Sequence, residues 1–253
     1  ILMIKNQFNL WSNQAIATFD TKYTVLNAPD LIATAESNGA IILKLNTNSE
    51  NEAEYKSSEI WRREPYGEWV RIAYDLGIDT VYRDFYIASD VKYDYKARNI
   101  ATSGGISESD IITVSSKVKY YTLFDVEDTS KSITFKNDVV IVPKYNQNIT
   151  SSVFAGNEKP TTEQGKEGYY EATITFKTRD RSLITKLINL IRTSKVLLFK
   201  DCRGHKWFGN IVGGLDFPED NFGIITVTLK FLETNILEKD VYSGNNSLYL
   251  LKF

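Results

Sequence analysis

The chain has 253 residues, 42% of them hydrophobic and 25% charged, with a formal net charge of −2. That balance belongs to a folded globular protein, and the length accommodates two ordinary domains. The charge supplies no positive field for a phosphate backbone, the single cysteine excludes an internal disulfide, and one cysteine with one histidine cannot close a four-ligand zinc site.

Residues 1–27 read as an N-terminal arm or strand. The opening ILMIKNQFNLWSNQ places Lys5 and polar residues where a signal peptide carries its apolar core. No run approaches the roughly 18 apolar residues of a membrane helix, so no membrane insertion is expected.

Residues 28–117 read as a β-sandwich of about seven short strands separated by polar turns. The expected strands are 31–35, 40–45, 56–64, 69–76, 80–87, 91–100 and 109–116, and PYGE (65–68) turns the chain. The segment 46–54 carries Glu50, Glu52 and Glu54, which read as a solvated acidic loop rather than metal ligands.

Residues 118–236 have a different grammar. KYYTLFDVEDTSKSITFKND (119–138) and VVIVPKYN (139–146) suggest strands, with Pro143 placing the latter at an edge or an end. The polar stretch 150–168 reads as a long loop. YYEATITFKT (169–178) alternates, with Tyr170, Ala172, Ile174 and Phe176 on the face to be buried. A helix is expected over 181–194, capped by Asp180 or Ser182, with an apolar stripe from Leu183 to Ile191 and Lys195 near its negative end. Strands are expected at 195–201, 205–214 and 222–234. Residues 237–253 read as a C-terminal arm, either a terminal strand or a docking arm.

KDCRGHKW (200–207) holds the only cysteine and the only histidine, Cys202 and His205. A Cys–His nucleophile needs both groups in hydrogen-bond reach and a third group orienting the imidazole. The stretch lies between two apolar strands, so it reads as a hairpin turn in which Gly204 supplies a positive φ, Asp201 bonds the turn backbone and Arg203 faces water. A glycosidase would need two carboxylates about 5–9 Å apart in a cleft. Asp84, Asp94, Glu171, Asp216, Glu219 and Asp220 are available, and no spacing singles out a pair. No phosphate-cradling loop or histidine metal motif appears. No catalytic, cofactor-binding or metal-binding residue is therefore assigned, no cofactor is expected, and an enzyme is not expected.

The first unit resembles a fibronectin type III domain. The resemblance rests on the aromatic-x-aspartate pair Tyr82 and Asp84, on Tyr93, Tyr95 and Ala97 in VKYDYKARNIA, and on TSGGISES (102–109) as the turn between the last two strands. It implies that the Tyr93 hydroxyl bonds to backbone where the chain crosses between sheets. The second unit resembles the tail-tube-like β-sandwich or barrel, with one flanking α-helix, of bacteriophage minor tail and distal tail proteins. The matching stretches are Leu123 to Ser130, Leu197 to Phe208 and Ile224 to Glu233, following the fibronectin-like module in that order. This resemblance implies a structural virion protein of a tail tip or baseplate, made in the bacterial host cytoplasm. It would form a homo-oligomeric ring, hexameric or trimeric, coaxial with the tail tube and in contact with tube and hub proteins. The alternative is a module that binds a cell-surface glycan through Trp61, Tyr66, Trp69, Tyr74 or Trp207, whose rings can stack on sugars.

Overall fold

The computed structural model describes residues 25–48, 54–136, 139–152, 159, 161–165 and 168–234. The expected arms, apart from residues 25–27, and the loop carboxylates Glu50 and Glu52 lie outside the described residues. The chain is mainly β, antiparallel throughout, with one helix among the described residues.

The first unit is a two-sheet sandwich. One sheet orders β1 (Asp30–Ala35), β2 (Ile41–Asn46) and β5 (Val81–Asp84) as β1-β2-β5. The other orders β4 (Val70–Leu76), β3 (Tyr55–Arg63), β6 (Lys92–Ala101) and β7 (Ile106–Glu108) as β4-β3-β6-β7, with β8 (Ile112–Ser115) also pairing with β6. Alternation sets the core: Ile41, Leu43 and Leu45 of β2 and Tyr93, Tyr95 and Ala97 of β6 are buried, while their neighbours are half-buried or exposed. Tyr93 accepts a hydrogen bond from the Ala88 N–H (2.9 Å), which anchors the segment arriving from β5.

Two boundaries differ from the sequence expectation. The strand expected over 80–87 stops at Asp84, whose Oδ1 accepts from the Tyr86 N–H (3.0 Å) and turns the chain away from the ladder. Tyr86, Ile87 and Ala88 are still buried, so an apolar run there marks a buried crossover rather than a strand. The turn expected over 102–109 is shorter, because Ile106–Glu108 already pairs with β6. The final strand is thus split, and Ser109 bridges the break by accepting from the Ala97 N–H through its hydroxyl (2.9 Å) and donating its own N–H to Ala97 O (2.9 Å).

The second unit is one seven-stranded sheet. It contains β9 (Tyr121–Asp125), β10 (Ser132–Phe135), β11 (Val140–Asn146), β14 (Tyr169–Thr178), β15 (Leu197–Lys200), β16 (Lys206–Asp216) and β17 (Ile225–Glu233), in the order β10-β9-β15-β16-β17-β14-β11. The sheet curls, bringing the rings of Phe135 in β10 and Phe176 in β14 to 4.2 Å. The helix α1 (Arg181–Thr193) covers the inner face with Leu187 and Leu190. Of the two expected caps, Asp180 is the one used, accepting from the Ser182 N–H (2.8 Å). Lys195 lies beyond the helix end and pairs with Glu127 (3.2 Å), leaving Arg192 as the basic residue of the last turn.

The stretch 150–168 is not simply a loop. Residues Ile149–Ser152 form β12 and Thr161–Gln164 form β13, a two-stranded ladder that extends the β11–β14 hairpin beyond the sheet. Pro143 sits in β11, the edge strand, as a residue without an N–H must.

Strands β9, β15 and β16 are covered on both faces. Leu123, Leu197, Phe199 and Trp207 belong to the core that also contains Leu187 and Leu190 of α1, whereas Phe124, Leu198 and Phe208 belong to a core shared with Leu43, Ile72 and Ile87 of the sandwich. This is why LLFK reads as a continuous buried run while β14 and β17 alternate. Each fully buried Leu or Phe contributes about 1.5–3 kcal/mol, so the two units are joined by a core rather than by a linker alone.

Candidate functional site

The Asp201–His205 stretch is a five-residue connection between β15 and β16. Asp201 is fully buried, and its Oδ1 accepts from the N–H groups of Arg203 (2.9 Å) and His205 (2.8 Å). Gly204 has φ +94°, the left-handed region that β-carbons resist, and Arg203 is exposed. The Asp201 Oδ2 lies 2.6 Å from His205 Nδ1, and the imidazole stacks on Trp207 with ring centres 4.9 Å apart. Cys202 instead lies beside the Tyr121 hydroxyl, whose proton is held more tightly than usual by partial burial and then by the neighbouring thiol. Cys202 and His205 therefore have different neighbours, Tyr121 for the thiol and Asp201 for the imidazole.

The six candidate carboxylates fall into unrelated settings. Asp84 is fully buried, its Oδ2 accepting from Arg62 Nη1 (2.8 Å) and the Tyr95 hydroxyl (2.9 Å). Burial, followed by the Asp84 charge, pushes the Tyr95 and Tyr86 phenols up. Asp94 binds Arg63 (2.6 Å) and Thr113 (2.7 Å), which hold its carboxyl below the usual range. Glu171 accepts from Asn146 (3.3 Å), Glu219 pairs with Arg181 (2.7 Å), Asp220 accepts from the N–H groups of Phe222 and Ile224 in its turn, and Asp216 is exposed at the end of β16. No group of three or more His, Cys, Asp or Glu side chains suited to a metal ion occurs among the described residues. No helix there is long and apolar enough to cross a membrane.

The aromatic candidates are engaged as well. Arg98 lies over Trp61 (4.5 Å), Arg63 and Lys96 lie over Trp69 (4.7 and 4.9 Å), and Arg71 lies over Tyr74 (4.9 Å). These cations are themselves paired with Glu59, Asp94 and Glu108, so the outer face of the β4-β3-β6 sheet is an interlocked ladder of rings and ions. Trp207 is only 6% exposed, whereas Tyr66 is fully exposed at its turn.

Two features escaped the sequence reading. The first is Lys200, fully buried at the junction, whose Nζ donates to Gly39 O (2.9 Å) and Phe85 O (3.0 Å). Burial lowers its amine to about 7, and the nearby Lys206 and Arg62 oppose the charge that Asp84 favours. Its signal was in plain view, since alternation in LLFK puts Lys200 on the same face as Leu198. The second is a groove of about 370 Å³ between the units. The sandwich contributes Glu64, Ala88, Val91 and Tyr93 to it, and the sheet contributes Pro143, Tyr170 and the Gly204–Trp207 end of the turn. No local sequence motif marks it, because its walls come from five separate segments.

No protein-family model matches the chain, and no curated protein matches it in sequence.

Proposed function

We propose that the chain is a structural protein of a bacteriophage tail tip or baseplate that assembles with copies of itself into a ring coaxial with the tail tube. The observation that carries this reading is the β11–β14 hairpin with its β12–β13 extension. A two-stranded ribbon is marginal alone in water, and the β12 side chains are all exposed, Ile149 among them. Val140, Val142 and Tyr145 of β11 are each more than half exposed, which makes an apolar margin along the edge of the large sheet. A neighbouring copy seated on that margin buries it and supports the ribbon. Pro143 offers no N–H, so the contact relies on side chains rather than on an unbroken backbone ladder.

The order of the modules supports the same reading. A three-stranded sheet, β1-β2-β5, faces β4-β3-β6-β7, as in a fibronectin type III domain. The curled sheet with one helix then follows as the ring-forming unit, in contact with tube and hub proteins in the virion. Negative-stain electron microscopy of the purified full chain tests the proposal. Closed rings of uniform diameter are expected; dispersed single particles at every concentration would overturn it.

A further inference from the structure

We propose that the groove between Glu64 and His205 binds a neutral pyranose sugar. Its volume, about 370 Å³, falls within the range of small-ligand sites, about 300–1,000 Å³. Its walls offer flat rings with polar groups beside them, and this combination selects the ligand. Tyr170 is 40% exposed and stacks on Trp207 (5.8 Å), which also carries the His205 imidazole. The C–H face of a sugar ring packs on such surfaces.

The polar groups of the groove are held in pairs, one of them an ion pair whose charges cancel. Glu64 accepts from Lys206 Nζ (3.1 Å), and His205 Nδ1 is held by the buried Asp201 carboxylate. A ligand with net charge meets a like charge within the Glu64–Lys206 pair. A hydroxyl both donates and accepts, so adjacent sugar hydroxyls serve Glu64 as acceptor and Lys206 as donor. His205 Nε2 has no partner among the described residues, and the Asp201 contact together with the Trp207 stack fixes the ring that carries it. The Tyr93 hydroxyl donates to Glu64 (3.3 Å) and holds the carboxylate in place. These supports reduce the ordering cost of binding.

The site adjoins the assembly margin at one residue, Tyr145, which shares a face of β11 with Pro143 and packs on Tyr170 (5.1 Å). Pro143 lines the groove, while Val142, its neighbour in β11, points to the opposite face of the strand. The groove is tested through Glu64 and Tyr170 and the margin through Val142, so failure of one proposal leaves the other standing.

The test is an NMR titration of the full chain with the methyl glycosides of glucose, galactose, mannose and N-acetylglucosamine. The protein has one histidine, so the imidazole signals report His205 without ambiguity. Saturable shifts of His205 and of the Trp207 indole are expected with at least one sugar. Glu64→Gln, which removes a charged acceptor, should weaken that binding about tenfold, and Tyr170→Leu should also weaken it, while Phe222→Ala, at an exposed turn outside the groove lining, leaves it unchanged. Absence of shifts with all four sugars, or binding unaltered in both groove variants, overturns the proposal. The wild-type titration decides alone if either variant does not fold.

Discussion

Replacing Lys200 by methionine probes the junction between the two units. Burial holds the Lys200 amine at about 7 in the folded protein, against an ordinary 10.5. Between those values the unfolded chain carries a proton that the folded chain lacks, so stability rises as pH increases through this window. Below about pH 7 both states are protonated and the cost of the buried charge is fully present. The linkage slope approaches 1.36 kcal/mol per pH unit, which gives a gain on the order of 2 kcal/mol between pH 7 and pH 9. Lys200→Met removes this titration and leaves Gly39 O and Phe85 O without their donor, at about 1–3 kcal/mol for each buried group. The variant should therefore be close to wild type at pH 6.5 and clearly less stable at pH 9. Urea denaturation at pH 6.5, 7.5, 8.5 and 9 measures the difference. If the wild-type and variant stabilities run parallel across this range, the reasoning about the junction is refuted.

Other substitutions probe single links. Asp84→Ala leaves the buried Arg62 guanidinium without its carboxylate and should cost about 3–5 kcal/mol, read as a fall in the urea midpoint. Asp180→Ala removes the cap of α1 and should cost about 1 kcal/mol in the same assay. Gly39→Ala forces a β-carbon onto a φ of +82° and against Val118, beside the carbonyl that Lys200 binds, and should lower the melting temperature. Val142→Glu places a charge on a residue 60% exposed, so ring formation should fail in sizing measurements while the melting temperature of the single chain is unchanged.

Much of the fold was legible wherever one face of an element meets water. The alternation in YYEATITFKT and the three- and four-residue spacing from Leu183 to Ile191 produced a strand and a helix within a residue of their limits. Pro143 marked an edge, and Gly204 marked a turn, because each imposes a backbone constraint that few environments accept. Legibility fell where burial is two-sided or where pairing is local to a ribbon. Tyr86 and Ile87 looked like a strand because they are apolar, yet they bury side chains in a crossover whose backbone leaves the ladder. Residues 150–152 looked like a loop because their side chains are polar and exposed, although their backbone pairs with β13. The groove was invisible for another reason: Glu64, Tyr170 and His205 are distant in the chain, and only the packing of the sandwich against the large sheet brings them together. In KDCRGHKW, the pairing of Asp201 with His205 across four residues was within reach of the sequence, whereas the place of Tyr121 beside Cys202 required the β9–β15 register.

Mass photometry of the full chain, compared with Val142→Glu, is the most direct measure of self-assembly through the β11 margin. A single multimeric species that collapses to the mass of one chain in the variant is expected. Single-chain mass for both proteins over the whole concentration range, or an unchanged multimer in the variant, would contradict the account.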